Sequence, residues 1–140
     1  MTVNGQDFYQ FALQCAQQSD EIGRRNAVGR AYYGVYHDVC SKLQNCPDPA
    51  THAGVRDYLI RDSWLKGNEP FEKFKLISLG AILKGLHTQR KWADYNLDLD
   101  FTQADADAAM ILAKNGMEKS QQMYELAFPV QAASDSEPAA

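Results

Sequence analysis

Asn26-Ala-Val-Gly-Arg30-Ala-Tyr-Tyr-Gly-Val-Tyr-His37-Asp-Val-Cys40 is the stretch that decides how the chain folds. Wound as a helix at about 100° per residue, it separates into two opposed stripes. Val28, Ala31, Tyr32, Val35, Val39 and Leu43 share one side, a band wide enough to be a core face. Asn26, Arg30, Tyr33, His37 and Ser41 share the other. Arg30 and His37 are two turns apart, roughly 10 Å along the axis, a gap that a long Arg side chain largely closes. Gly34 lies near the polar stripe, where its missing side chain costs the helix roughly 1 kcal/mol relative to Ala. A close neighbour is expected there, and a second copy of the same helix would supply it.

Outward from this stretch the chain reads as helix after helix. Phe8, Phe11, Ala12 and Cys15 recur at helical spacing and predict a first helix over 5–18. Ser19-Asp20-Glu21 then has the form of an N-cap and acidic first turn for the helix that carries the opening stretch to about Gln44. Pro47 and Pro49 stop it. Thr51 begins a short helix with Val55, Leu59 and Tyr58 inward. Beyond the turn Lys66–Pro70, a strongly apolar helix is predicted over 69–94, with Pro70 in its first turn and Phe71, Phe74, Ile77, Leu79, Ala81, Ile82, Leu83 and Leu86 around it. Arg90 and Asp94 continue the line of Leu76, Leu79 and Leu83, so an internal ion pair is expected. Thr102-Gln-Ala-Asp105 resembles a capping box, opening a last helix to about Phe128 with Ala109, Leu112, Ala113, Gly116, Met123, Tyr124 and Ala127 on one stripe. The fold class expected is all-α: an antiparallel four-helix bundle with an additional short helix over 1–128, then a disordered polar tail over 129–140.

The bulk properties narrow the function. A chain of 140 residues makes one domain that buries about two-thirds of its unfolded surface. The net charge of −4 argues against a broad non-specific nucleic-acid surface but leaves room for a local cationic cluster. Cys15, Cys40 and Cys46 are an odd set without ligand-like spacing, which points to a reducing cytoplasm rather than a disulfide framework. No signal-peptide pattern or membrane-spanning run is present.

No phosphate-binding glycine loop, H-E-x-x-H or nucleophile elbow occurs, and no metal or cofactor is expected. His37 and Cys40, three apart, lack the further ligands a metal needs. His52 follows the proline loop, where a capping role is expected. Arg30 and His37 are the pair able to run a reaction: fixed positive charge for a phosphate, and a side chain that exchanges protons near neutral pH. By spacing alone, an exposed Arg and His at this separation also arise by chance in many helices.

Gly29-Arg30-Ala-Tyr-Tyr-Gly-Val-Tyr-His37 resembles the motif of the HEPN superfamily, an Arg and a His separated by four to six residues; here six intervene. It is closest to the bacterial and archaeal branch reading Ser-Arg-Ala-Tyr-Tyr-Ala-x-Phe-His, with Gly29 in place of Ser and Gly34 in place of Ala. Thr51-His52-x-Gly54-Val55 and Arg90-x-x-Ala93-Asp94-Tyr95 resemble two further blocks of that branch, in the same order. The resemblance implies a four-helix bundle that dimerises through the motif helices. For active members it implies metal-independent RNA cleavage leaving a 2′,3′-cyclic phosphate, often as the toxin beside a minimal nucleotidyltransferase partner. Arg30 and His37 would then be catalytic, with Asn26 and Tyr33 contacting the RNA. Other members are non-catalytic modules that bind a nucleotide or the nucleotidyltransferase.

Overall fold

The computed structural model describes residues 2–129, and among them the chain is all-α, with no strand. The elements are α1 (Gly5–Ala16), α2 (Glu21–Lys42), α3 (His52–Asp57), a π-helical turn (Tyr58–Asp62) leading into α4 (Ser63–Leu65), α5 (Lys73–Tyr95) and α6 (Gln103–Ala127). None is long and apolar enough to cross a membrane. The tail expected from 129 onward lies, apart from Pro129, outside the described residues.

Local chemistry sets the helix ends. Asn4 and Asp7 form a reciprocal capping box on α1, and Thr102 and Asp105 form the expected one on α6. Asp20 caps α2 through the Gly23 N–H. Because Asp20 must be extended to do so, the preceding residues become a turn and α1 ends at Ala16, short of the predicted 18. The apolar helix begins at Lys73 rather than 69, with Pro70 outside it. Glu69 is occupied elsewhere: its carboxylate accepts the Gln44 and Asn45 N–H groups at 2.8 and 2.9 Å and the Tyr58 hydroxyl at 2.5 Å. Glu72 caps α5 instead, accepting from Phe74 and Lys75.

α2 packs against α1, α5 and α6, and its expected core stripe of Val28, Ala31, Tyr32, Val35, Val39 and Leu43 is buried throughout. α5 contributes Leu76, Leu79, Ile82, Leu83 and Leu86 from one side only; Phe74 is 69% exposed and Ala81 also faces out, so this helix is amphipathic rather than buried all round. On α6 the small residues Ala106, Ala109, Ala113 and Gly116 are buried with Met123, whereas Leu112 is half-buried and Tyr124 exposed. Lys42, Asp38 and Ser120 lock α2 to α6: the Ser120 hydroxyl donates to Asp38 at 2.7 Å, and Lys42 bridges both.

The neighbour of Gly34 is α1 of the same chain, not a second copy. A Cβ on Gly34 would lie 2.9 Å from the Tyr9 backbone nitrogen, and one on Gly5 would lie 2.4 Å from the Gly34 carbonyl oxygen. The two backbones touch where both side chains are missing. Large residues of α1 are thereby displaced to the rim: Phe8 is half-buried and Phe11 is 52% exposed, instead of lining the core.

Arg25, which no sequence pattern singles out, is buried and closes the far end of α5. Its guanidinium donates to the carbonyls of Ala93 (2.9 Å), Asn96 (3.3 Å) and Leu99, and to Glu21 at 2.9 Å. A cation placed on terminal carbonyls also meets the negative end of the helix dipole.

Gly34→Leu tests the crossing. Overpacking of this kind costs about 1–3 kcal/mol, more than the roughly 1 kcal/mol of helix propensity regained. Urea denaturation should therefore show a lower midpoint, and an unchanged or higher one would mean that α1 docks elsewhere.

Candidate active site

The polar stripe of α2 emerges beside the α1–α2 crossing, where α1 lays Phe8 across it. The Phe8 and His37 rings stack at 5.3 Å with 30° between planes, and the Arg30 guanidinium carbon stands 5.9 Å from the same Phe8 ring. Tyr33 lies between the two functional groups, 5.3 Å from the Arg30 guanidinium carbon and 6.0 Å from the His37 ring. Arg30 and Tyr33 are half-buried, and His37 is exposed. Each cation over a ring contributes about 0.5–1 kcal/mol at such exposure, enough to bias rotamers rather than to hold the fold. Asn26 is exposed one turn before Arg30 and takes no part in these ring contacts.

α5 adds a second cation. Arg90 approaches Tyr33 at 5.1 Å and bonds Asp94 at 3.1 Å, but the pair is not internal: their side chains are 16% and 32% exposed. At this level α5 faces Gly29, where an added Cβ would stand 3.7 Å from Asp94, and the edge of the polar stripe rather than the apolar one. Breaking an exposed pair of this sort costs about 0.2–1 kcal/mol.

Behind Tyr33 stand the other two histidines. His52 is not a cap; Thr51 caps α3 by accepting the Gly54 N–H at 3.0 Å. The His52 Nδ1 instead shares a 2.5 Å hydrogen bond with the Tyr32 hydroxyl. With the hydroxyl donating, the proton of the neutral ring sits on Nε2. His87 of α5 lies 5.0 Å from the His52 ring and 5.5 Å from Tyr32. All three histidines of the chain therefore join one cluster with Tyr32, Tyr33 and Tyr36. Burial, then the charge of Arg90, holds the His52 pKa below the ordinary value; burial, then His52 and Arg90, does the same for His87. Burial raises Tyr32 and pushes Tyr36 up to about 12.

All three cysteines are free, and burial pushes Cys40 up to about 12, so it remains a thiol. Among the described residues no group of three or more His, Cys, Asp or Glu side chains is placed to share a metal ion. Phe8 and His87 carry no sequence signal that would assign them to the site, and Arg90 reads only as an internal partner of Asp94 and part of a family block. They come from two distant elements, Phe8 from α1 and His87 and Arg90 from α5, and only packing brings them to the stripe. No protein-family model, curated protein or solved structure matches this chain.

The depressed imidazoles give a pH dependence of defined sign. The unfolded chain takes up protons near 6.5 while folded His52 and His87 resist them, so their stability contribution is complete above 6.5 and declines as pH falls toward the folded values. The thermal midpoint should drop between about pH 7.5 and 5.5. A His52→Gln/His87→Gln variant should show a shallower drop; an undiminished one would mean that these rings titrate as they do in water.

Proposed function

We propose that this chain is a metal-independent endoribonuclease of the HEPN toxin type, its main helices forming a four-helix bundle with a short helix alongside. The observation that carries the reading is that Arg30 and His37, two turns apart, both rest on Phe8 and flank Tyr33. Arg30 binds the scissile phosphate and stabilises the charge developing on it. An imidazole takes the proton of the ribose 2′-hydroxyl, the 2′-oxygen attacks phosphorus, and the bond to the 5′-oxygen breaks. The leaving oxygen takes a proton, and the product is a 2′,3′-cyclic phosphate. His37, exposed beside Arg30, serves in this exchange. Tyr33 orients the phosphate, and Asn26 meets the RNA outside it.

A second copy supplies the other imidazole. Exposed Val3 and Phe11 form an apolar surface with Phe8 directly beside Arg30, suited to self-association that sets two Arg30–His37 pairs face to face. A minimal nucleotidyltransferase is the partner that the resemblance suggests, in the cytoplasm. A non-catalytic module that binds a nucleotide or that partner is the alternative.

Purified protein in EDTA should cleave RNA. Arg30→Ala and His37→Ala should each abolish cleavage while changing stability by less than about 1 kcal/mol, since neither side chain lies in the core. Intact RNA with the wild type would favour the binding module, and unfolding of either variant would make the pair structural.

Light scattering should give a dimer at tens of micromolar for the wild type and a monomer for Phe11→Asp. An active wild-type monomer would remove the composite site and leave His52 as the nearest second imidazole.

A further inference from the structure

A second cleft lies not over Arg30 but behind the imidazole cluster, along the outer face of α5. It is an open groove of about 720 Å³. Lys84, His87, Thr88, Lys91, Trp92 and Tyr95 line it at helical spacing, with Arg56 of α3 across from them. The crossing of the α3 segment over α5 fixes that placement. A Cβ on Gly80 would lie 2.7 Å from the Ile60 side chain and 3.3 Å from the Arg56 carbonyl oxygen, so Arg56 is held one turn from Lys84.

The lining is cationic in a chain whose net charge is −4. It contains Arg56, Lys84 and Lys91 and no carboxylate. Arg56 bonds the exposed Asp57, while Lys84 and Lys91 have no carboxylate partner among the described residues. Two large rings stand among these charges: Tyr95 is exposed, while Trp92 is half-buried against Phe101, its indole N–H buried with no acceptor among the described residues. Cations tracking a backbone with aromatic faces between them are the means by which proteins hold single-stranded nucleic acid. A volume of this size is far more than one phosphate needs and within the range of a nucleotide-sized ligand. His87 belongs both to this lining and to the ring cluster that leads through His52 to Tyr33.

We propose that this cleft binds the flanking single strand of an RNA whose scissile phosphate lies at Arg30, with Lys84, Lys91 and Arg56 on phosphates and Trp92 and Tyr95 against bases. The inference rests on the ribonuclease reading for the location of the scissile phosphate.

The test is fluorescence anisotropy with a labelled single-stranded RNA dodecamer in EDTA, on full-length protein carrying His37→Ala so that the probe stays whole. Adding Lys84→Glu/Lys91→Glu should weaken binding by about tenfold or more, and should flatten the salt dependence by about 0.7 for each phosphate that is no longer neutralised. Lys114→Glu/Lys119→Glu on α6 makes the same charge change elsewhere and should leave affinity within about twofold, as binding that depends on place rather than net charge requires. Equal losses from both double variants, or no loss from the first, would overturn the cleft. Tyr95→Ala separates stacking from charge, because it should weaken binding without altering the salt slope; unchanged affinity would overturn the base contact. Failure of the wild type to cleave RNA, with these binding differences intact, would sink the catalytic reading and leave the cleft standing.

Discussion

Contact between two bare backbones, at Gly5 and Gly34, sets the arrangement of everything around the candidate site. A side chain at either position would force α1 away from α2. Their closeness brings Phe8 down onto the polar stripe, and Phe8 gives Arg30 and His37 a common surface. The loss of helix propensity at Gly34 is thus offset inside one chain. Val3 and Phe11 are left exposed beside this crossing.

α5 has two jobs that its sequence places on different faces. Leu76, Leu79, Leu83 and Leu86 fill the core, while Lys84 and Lys91 are exposed and His87 is half-buried between the cluster and the groove. Arg90 stands at the seam, over Tyr33 and within reach of the His52 and His87 electrostatics. Its positive charge, added to burial, favours neutral imidazoles near pH 7, the form able to accept a proton. Arg25 and Glu69 perform the corresponding structural work at the loops, each satisfying several backbone groups that the helix ends leave unpaired.

The all-α class and most helix positions were legible because periodicity and capping are local signals. Asp20 and Thr102 cap where the pattern indicates, whereas the cap of α3 is Thr51 and not His52. What the sequence misjudged depended on distant partners. Pro70 looked like a helix start because nothing local reveals that Glu69 is taken by Gln44, Asn45 and Tyr58. The pair Arg90–Asp94 followed an apolar line, yet the surface facing it is set by α2 and not by α5. Arg30, Tyr33 and His37 could be picked out together because one helix carries them. Phe8, His52 and His87 could not, since three separate elements bring them in. Lys84, His87, Lys91 and Tyr95 are passed over because the helix reads as apolar all round, and only the crossing at Gly80 turns that stripe into a cleft.

In the proposed reaction, Arg30 and His37 direct the ribose 2′-oxygen against its own phosphate. Phosphorus NMR of a short RNA incubated with the protein in EDTA reads that step directly. A growing 2′,3′-cyclic phosphate resonance, absent when the residue 5′ to the cut is a 2′-deoxynucleotide, is the result expected. Linear monophosphate ends from the outset, formed equally well from the deoxy substrate, would show water as the nucleophile and contradict the account.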